Sequence, residues 1–258
     1  MNSETAKAPT LLSRLIGQHE LIPLKRTKKR TRPPLRNRVA MPRIATVPGA
    51  TNPQIATAAF KSLRTKVVQG LAEHKCNSVM VTGATEGVGK STVSINLAAA
   101  VARQGIPVLL VELDLRKPSI GKTFGLQQMP GIESAVNKNF NLKEAMTWIP
   151  ELKFSVLACG GALSDSSEIL TSSRVAEVFK TVETIYRDGI VIYDAPPTLG
   201  CDDVLAVSTS MKSALIVLEE GRTKHEEFQA ARDTIGALPL LGVVLNKSRS
   251  RSFKHYYY

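Results

Sequence analysis

The chain has 258 residues, 43% of them hydrophobic, enough for one large α/β domain or for a domain carrying a tail. No apolar run approaches the roughly 20 residues that cross a bilayer, and the first ten residues are polar, unlike a secretory leader. Cys76, Cys159 and Cys201 stand apart with no CxxC spacing, which points to a reducing cytoplasm and away from a zinc or iron–sulfur centre.

The net charge of +12 is unevenly placed. Residues 1–43 hold eleven Lys/Arg against two Glu, a surplus of +9, and the remainder of the chain carries only +3. Residues 1–50 therefore read as a basic arm. Leu11, Leu12, Leu15 and Ile16 have helical spacing and suit one short amphipathic helix. The run from Lys25 to Pro34, followed by Arg36, Arg38 and Arg43, has nothing with which to build a core. Attraction to an anionic membrane surface or an acidic partner is the leading expectation, with a solvated linker next. Nucleic acid is disfavoured, because no aromatic side chains interleave the charges to stack on bases.

Residues 53–72 read as a helix, with Ala56, Ala59, Phe60, Leu63, Val67 and Leu71 on one side. The next stretch organises the chain. Val79-Met80-Val81 is a buried-strand pattern, and from Ser91 a long helical pattern runs to Gly105. Between them lies Ala84-x-x-x-x-Gly89-Lys90-Ser91, a phosphate-binding loop with Ala in place of the usual first Gly. Gly87 and Gly89 let the backbone turn its N–H groups inward around phosphate oxygens, and the helix N-terminus adds positive potential. The nucleotide-contacting stretch is expected to be Glu86, Gly87, Val88, Gly89, Lys90, Ser91 and Thr92. Lys90 is placed for the β- and γ-phosphates and Ser91 for Mg²⁺.

Apolar strands then alternate with helices. Val108 to Asp114, Phe154 to Ala158, Gly189 to Asp194, Ala214 to Leu218 and Leu241 to Leu245 read as strands. Ser166 to Thr184 and His225 to Leu238 read as helices. The alternation implies a P-loop NTPase of the deviant-Walker type, with a mostly parallel sheet covered by helices on both faces. In such sheets ligands bind beyond the carboxyl ends of the strands, where Lys90, Glu112, Asp114 and Asp194 would gather. Asp194 follows four apolar residues, as a Walker B acid does, and is expected to hold Mg²⁺. Glu112 and Asp114 alternate along the expected strand and so share a face. One is expected to act as base or to position the attacking group, and the other, Asp114 in the metal set with Ser91 and Asp194, to support the cation.

These stretches resemble a family. Ala84 to Ser91, Leu110-Val-Glu-Leu-Asp-Leu-Arg-Lys-Pro118 and Val191-Ile-Tyr-Asp-Ala-Pro-Pro197 are similar to the Walker A, A′ and B boxes of the bacterial tyrosine kinases of exopolysaccharide and capsule synthesis. Asp203 falls where that family has a further Asp, and residues 59–65 resemble its helix before the P-loop. Tyr256-Tyr257-Tyr258 resembles its autophosphorylated tyrosine cluster. The resemblance implies ATP and Mg²⁺ as cofactors. It implies Lys90, Glu112, Asp114 and Asp194 as catalytic residues, and Asn246 as an adenine contact like that of the wider ATPase superfamily. It also implies self-association, and a stand-alone cytoplasmic form recruited to the inner face of the plasma membrane by an adaptor of the polysaccharide co-polymerase type. The expected layout is an arm over residues 1–50, a kinase domain over 51–248 and a tyrosine-bearing tail over 249–258.

The sequence departs from the family pattern in several places. Glu112 replaces the first Walker A′ Asp, Glu86 and Val88 alter the loop, and Lys61 and Arg64 lack the preceding Glu of the ring-assembly motif. Two other readings stay open on the residues alone. One is a ParA/MinD-type positioning ATPase, which would normally carry a Lys at the position of Thr85. The other is a catalytically weakened, nucleotide-gated interaction protein of the same export complex.

Overall fold

The structure is a computed structural model that describes residues 53–136, 140–200 and 202–248. The expected arm with its Leu11–Ile16 helix, the residue Cys201 and the tail with Tyr256, Tyr257 and Tyr258 lie outside the described residues.

The described residues form a seven-stranded sheet in the order β3-β4-β2-β5-β1-β6-β7. Its strands are β1 (Ser78–Gly83), β2 (Val108–Glu112), β3 (Thr147–Ile149), β4 (Phe154–Leu157), β5 (Ile190–Asp194), β6 (Ala214–Glu219) and β7 (Leu240–Asn246). All neighbours pair in parallel except β3 with β4. The helices are α1 (Pro53–Glu73), α2 (Lys90–Ala102), α3 (Ile120–Thr123), α4 (Ile132–Ala135), α5 (Leu142–Ala145), α6 (Ser166–Thr171), α7 (Ser173–Ile185), α8 (Asp203–Ser208) and α9 (His225–Ile235).

The central strands are continuous apolar runs because helices cover both faces. Period-two alternation sorts their side chains into two cores. Val79, Val81, Val108, Leu110, Ile190 and Ile192 pack with Val67 and Leu71 of α1 and with Val93, Leu97 and Val101 of α2. Met80, Leu109, Val111, Val191 and Tyr193 point the other way, into Val175, Val178, Phe179 and Val182 of α7 and Val204 and Val207 of α8. At about 25 cal/mol per Å² of apolar surface, each of these side chains contributes on the order of 1.5–3 kcal/mol.

Four expectations shift. The strand expected to reach Asp114 ends at Glu112, so Glu112 and Asp114 do not alternate along one strand; Asp114 sits in the loop beyond it. The helix expected over 166–184 is two helices. Ser172, at φ −65° and ψ 142°, leaves helical conformation, and its hydroxyl accepts from the Val175 N–H as an N-cap. The helix expected to reach Leu238 stops at Ile235, followed by Gly236 at φ 59°. The three-residue antiparallel edge strand β3 has no counterpart in the expected set. It is too short to carry a periodicity, and its pairing comes from a turn that folds it back on β4.

The sheet order explains where a ligand fits. From β1 the chain crosses to β2 on one side of β5, and from β5 it crosses over β1 to β6 on the other. The reversal opens a crevice beyond the carboxyl ends of β1, β5 and β2. Register brings these ends level, with Val81 opposite Asp194 and Glu112 opposite Asp194.

Candidate nucleotide and cation site

The loop between β1 and α2 lies in that crevice. Gly87 and Gly89 take φ of +77° and +95°, left-handed values that glycine adopts without strain. A Cβ on Gly89 would strike the side-chain nitrogen of Asn246. That nitrogen donates to the Val88 carbonyl at 2.8 Å, and Lys247 Nζ donates to the Gly87 carbonyl at 2.7 Å and pairs with Glu219 at 2.9 Å. The end of β7 thus clamps the outer side of the loop by its carbonyls, leaving the inner side to its N–H groups. Asn246, read from the sequence as an adenine contact, is placed on the loop itself.

Lys90 is the first residue of α2 and is buried, at 7% exposure. Val88 is buried behind the loop, Thr92 is half-buried, and Glu86 is exposed at the loop tip, where Lys117 Nζ meets its carboxylate at 2.7 Å. That pair crosses the site from the P-loop to the loop after β2. It also holds the Glu86 carboxyl below the ordinary carboxylate range, chiefly through the Lys117 hydrogen bond.

Asp194 is fully buried at the end of β5. Its Oδ1 accepts from Ser94 at 2.8 Å, the Ser91 hydroxyl lies near the carboxylate, and Oδ2 has no partner. Burial pushes its pKa up to about 7, against the pull of the two serine hydroxyls and the nearby Lys90. An orphaned carboxylate oxygen beside a serine hydroxyl is a hard-oxygen donor set of the kind Mg²⁺ takes, with phosphate oxygens and water completing the shell. Among the described residues no cluster of three or more His, Cys, Asp or Glu could hold a metal ion by itself. The fit is thus to a cation that arrives with a phosphate ligand.

The two Walker A′ acids part company. Asp114 is half-buried; Oδ1 accepts the Lys117 N–H at 3.1 Å, and burial raises its pKa against the attraction of Lys90. Glu112 is fully buried and accepts four backbone N–H groups: Ser119 at 2.5 Å, Ile120 at 2.6 Å, and Gly121 and Cys159 at 3.0 Å each. Burial pushes its pKa up, while these four donors pull it back. Asp203 is also buried and engaged, accepting from Ser166, Ser167 and Arg116, the last at 3.0 Å. Burial favours its neutral form, but these donors outweigh it and hold the pKa below the ordinary value.

Sequence reasoning passed over Ser94, Ser119, Lys117 and Lys247. Ser94 was within reach of it, lying one helical turn from Lys90 and Ser91 on the same helix. Ser119 and Lys247 depend on loops whose paths no periodicity reports.

The chain matches the CobQ/CobB/MinD/ParA nucleotide-binding domain family over residues 79–257. It is 30% identical over 202 residues to the tyrosine-protein kinase YwqD of Bacillus subtilis, covering 77% of this chain and 84% of that one. The chain belongs to the bacterial tyrosine-kinase family. Its fold agrees: the kinase domain of Escherichia coli ETK superposes with a TM-score of 0.75 at 26% identity, over 86% of this chain and 87% of that domain. EpsB of Ralstonia solanacearum is 32% identical over 206 residues, 77% of this chain, but this kinase spans only 26% of EpsB. The positioning-ATPase reading is not favoured, since the match over most of both chains is to a kinase. No helix of this kinase among the described residues is long and apolar enough to cross a membrane.

Proposed function

We propose that this kinase uses ATP and Mg²⁺ to phosphorylate the tyrosines of its own tail, Tyr256, Tyr257 and Tyr258, and that it regulates export or polymerisation of a surface polysaccharide. The observation that carries the nucleotide reading is the buried, half-satisfied Asp194 beside Ser91 and Lys90, at the mouth of a glycine-shaped loop. The tail is rich in the acceptor: three of the five tyrosines of the chain are its last three residues, after a Lys-Ser-Arg-Ser-Arg-Ser segment.

In this mechanism the loop N–H groups and Lys90 bind the β- and γ-phosphates and hold them in line for attack. Ser91 and Asp194 hold the cation. When bound, Mg²⁺ supplies charge neutralisation of the transferring phosphoryl group. Asp114, half-buried at the site edge, takes the proton of the attacking tyrosine hydroxyl at its carboxylate, and burial raises its pKa and so its basicity. Glu112 is left without that task, because its oxygens are held by four amides.

The tail tyrosine comes from a second copy, and each phosphate adds about −1.5 to −2 of charge to a basic segment, so phosphorylation sets cycles of association and release. A catalytic unit over residues 51–248 works between a basic arm and this tail. A membrane adaptor of the co-polymerase type brings it to the inner face of the plasma membrane, aided by residues 25–43.

The test is intact mass after incubation with Mg-ATP, with and without a candidate adaptor's cytoplasmic segment, with Lys90→Met alongside. Addition of one to three phosphates on the tail tyrosines, absent from Lys90→Met, is expected. Normal ATP binding with no phosphate added in either condition would overturn the autokinase reading.

A further inference from the structure

Ser91 leads into a connected set of hydrogen bonds that the phosphoryl-transfer mechanism does not use. Ser119 Oγ donates to Ser91 Oγ at 2.7 Å, and Ser91 lies beside the Asp194 carboxylate. Ser119 is the N-cap of α3, yet its side chain makes no capping hydrogen bond. The N–H groups at the start of that helix are taken by the Glu112 carboxylate, which receives Ser119 and Ile120 on one oxygen and Gly121 and Cys159 on the other. The glycine at 121 makes the arrangement possible. A Cβ there would lie 2.7 Å from the Cys159 carbonyl oxygen and 3.5 Å from Glu112 Oε2. Without it the helix start could not sit against both the carboxylate and the chain after β4.

A serine oxygen has four directions in space: its bond to Cβ, one O–H donor and two lone pairs. At Ser91 one lone pair is held by Ser119. A single lone pair remains to meet a cation. We propose that Ser119 is a positioning residue for the cation: anchored through the backbone by Glu112, it fixes the rotation of the Ser91 hydroxyl so that its last lone pair is presented to Mg²⁺. Glu112 is the anchor of that device. Its added methylene, relative to Asp, lets a carboxylate at the end of β2 reach four amides on two loops. Ser119 touches neither substrate nor the reacting atoms; it acts through Ser91.

The inference rests on the reading of Ser91 and Asp194 as the cation site, and the experiment separates the two. Binding of a fluorescent ADP analogue is measured while Mg²⁺ is titrated, and again in EDTA, for the full-length wild type, Ser91→Ala, Ser119→Ala, Ser119→Thr and Glu112→Gln. For the wild type, Mg²⁺ is expected to tighten binding, and Ser91→Ala to abolish most of that gain. Ser119→Ala is expected to raise the Mg²⁺ midpoint about five- to tenfold with the EDTA affinity unchanged. Ser119→Thr, which keeps the hydroxyl, restores the midpoint. Glu112→Gln, which replaces two acceptor oxygens by one and turns an NH₂ toward backbone N–H groups, shifts the midpoint in the same direction as Ser119→Ala. Loss of Mg²⁺ dependence from the wild type would overturn the cation site and the proposal with it. A wild-type midpoint in Ser119→Ala, or an equal loss of affinity with and without Mg²⁺, would overturn the positioning role alone.

Discussion

Asp194 carries the highest electrostatic cost in the site. It is fully buried, its pKa is raised to about 7, and one oxygen has no partner. A carboxyl whose folded pKa lies above the unfolded value of about 3.9 favours folding in its protonated form. That contribution is complete below about pH 4 and is lost as pH rises through about 7. The nucleotide-free kinase is therefore expected to lose stability across this window by on the order of a few kcal/mol through this residue. In Asp194→Asn that component should vanish from urea denaturation curves between pH 4 and 8. The variant should then be more stable than wild type at pH 8 while losing Mg²⁺-dependent nucleotide binding. A variant whose pH profile parallels the wild type would show that the burden lies elsewhere. The place of Asp194 at the end of a strand was legible from four apolar residues leading into an acid. Its missing partner was not, because satisfaction of a buried oxygen depends on atoms from α2, 100 residues upstream in the chain at Ser94.

The elements meet at the P-loop, where β7 closes on it from outside. Asn246 and Lys247 each hold one of its carbonyls, and Gly89 leaves the room that the Asn246 side chain occupies. Gly89→Ala combines a left-handed φ of +95° with a collision against Asn246. It is expected to abolish nucleotide binding while the circular-dichroism spectrum stays native. Gly105→Ala has a similar φ of +78° but open space around it, and should bind nucleotide normally at a cost of about 1 kcal/mol in stability. Equal nucleotide binding by the two variants would show that the contact with β7 is unimportant.

The same scale holds the main misreadings of secondary structure. The stretch 166–184 reads from the sequence as one helix, with Ile169, Leu170, Val175, Val178 and Phe179 available for packing. Yet Leu170 and Val175 are five apart, a slip that a single helix does not make, and Ser172 supplies the cap for a new start. At the end of β2 four amides hold the Glu112 carboxylate, an interaction with α3 and the chain after β4 that no local pattern announces.

At the scale of the whole molecule, charge is unevenly placed along the chain. Residues 1–43 carry a surplus of +9, and residues 44–258, with 23 Lys/Arg and 20 Asp/Glu, only +3. Each basic residue near an anionic surface contributes about 1 kcal/mol of attraction, falling off within a Debye length of about 8 Å at physiological salt. The full chain is expected to co-sediment with vesicles containing phosphatidylserine and to be released by about 0.5 M salt, at which the Debye length is only about 4 Å. A chain of residues 44–258 should stay in the supernatant. Equal binding of both chains, or binding to neutral vesicles, would remove the arm from the account.

The sequence by itself determined the class and place of the chemistry. Strand and helix periods, a glycine-shaped loop ending in Lys90-Ser91, and acids at the ends of apolar runs are local signals, since side-chain direction and backbone freedom follow from neighbouring residues. The tertiary structure alone decided what surrounds each acid. Which carboxylate keeps an unpartnered oxygen, which is held by amides and which is paired with Arg116 depends on groups brought together from far along the chain. In a buried site those partners, rather than the residue type, set the charge and orientation of each group.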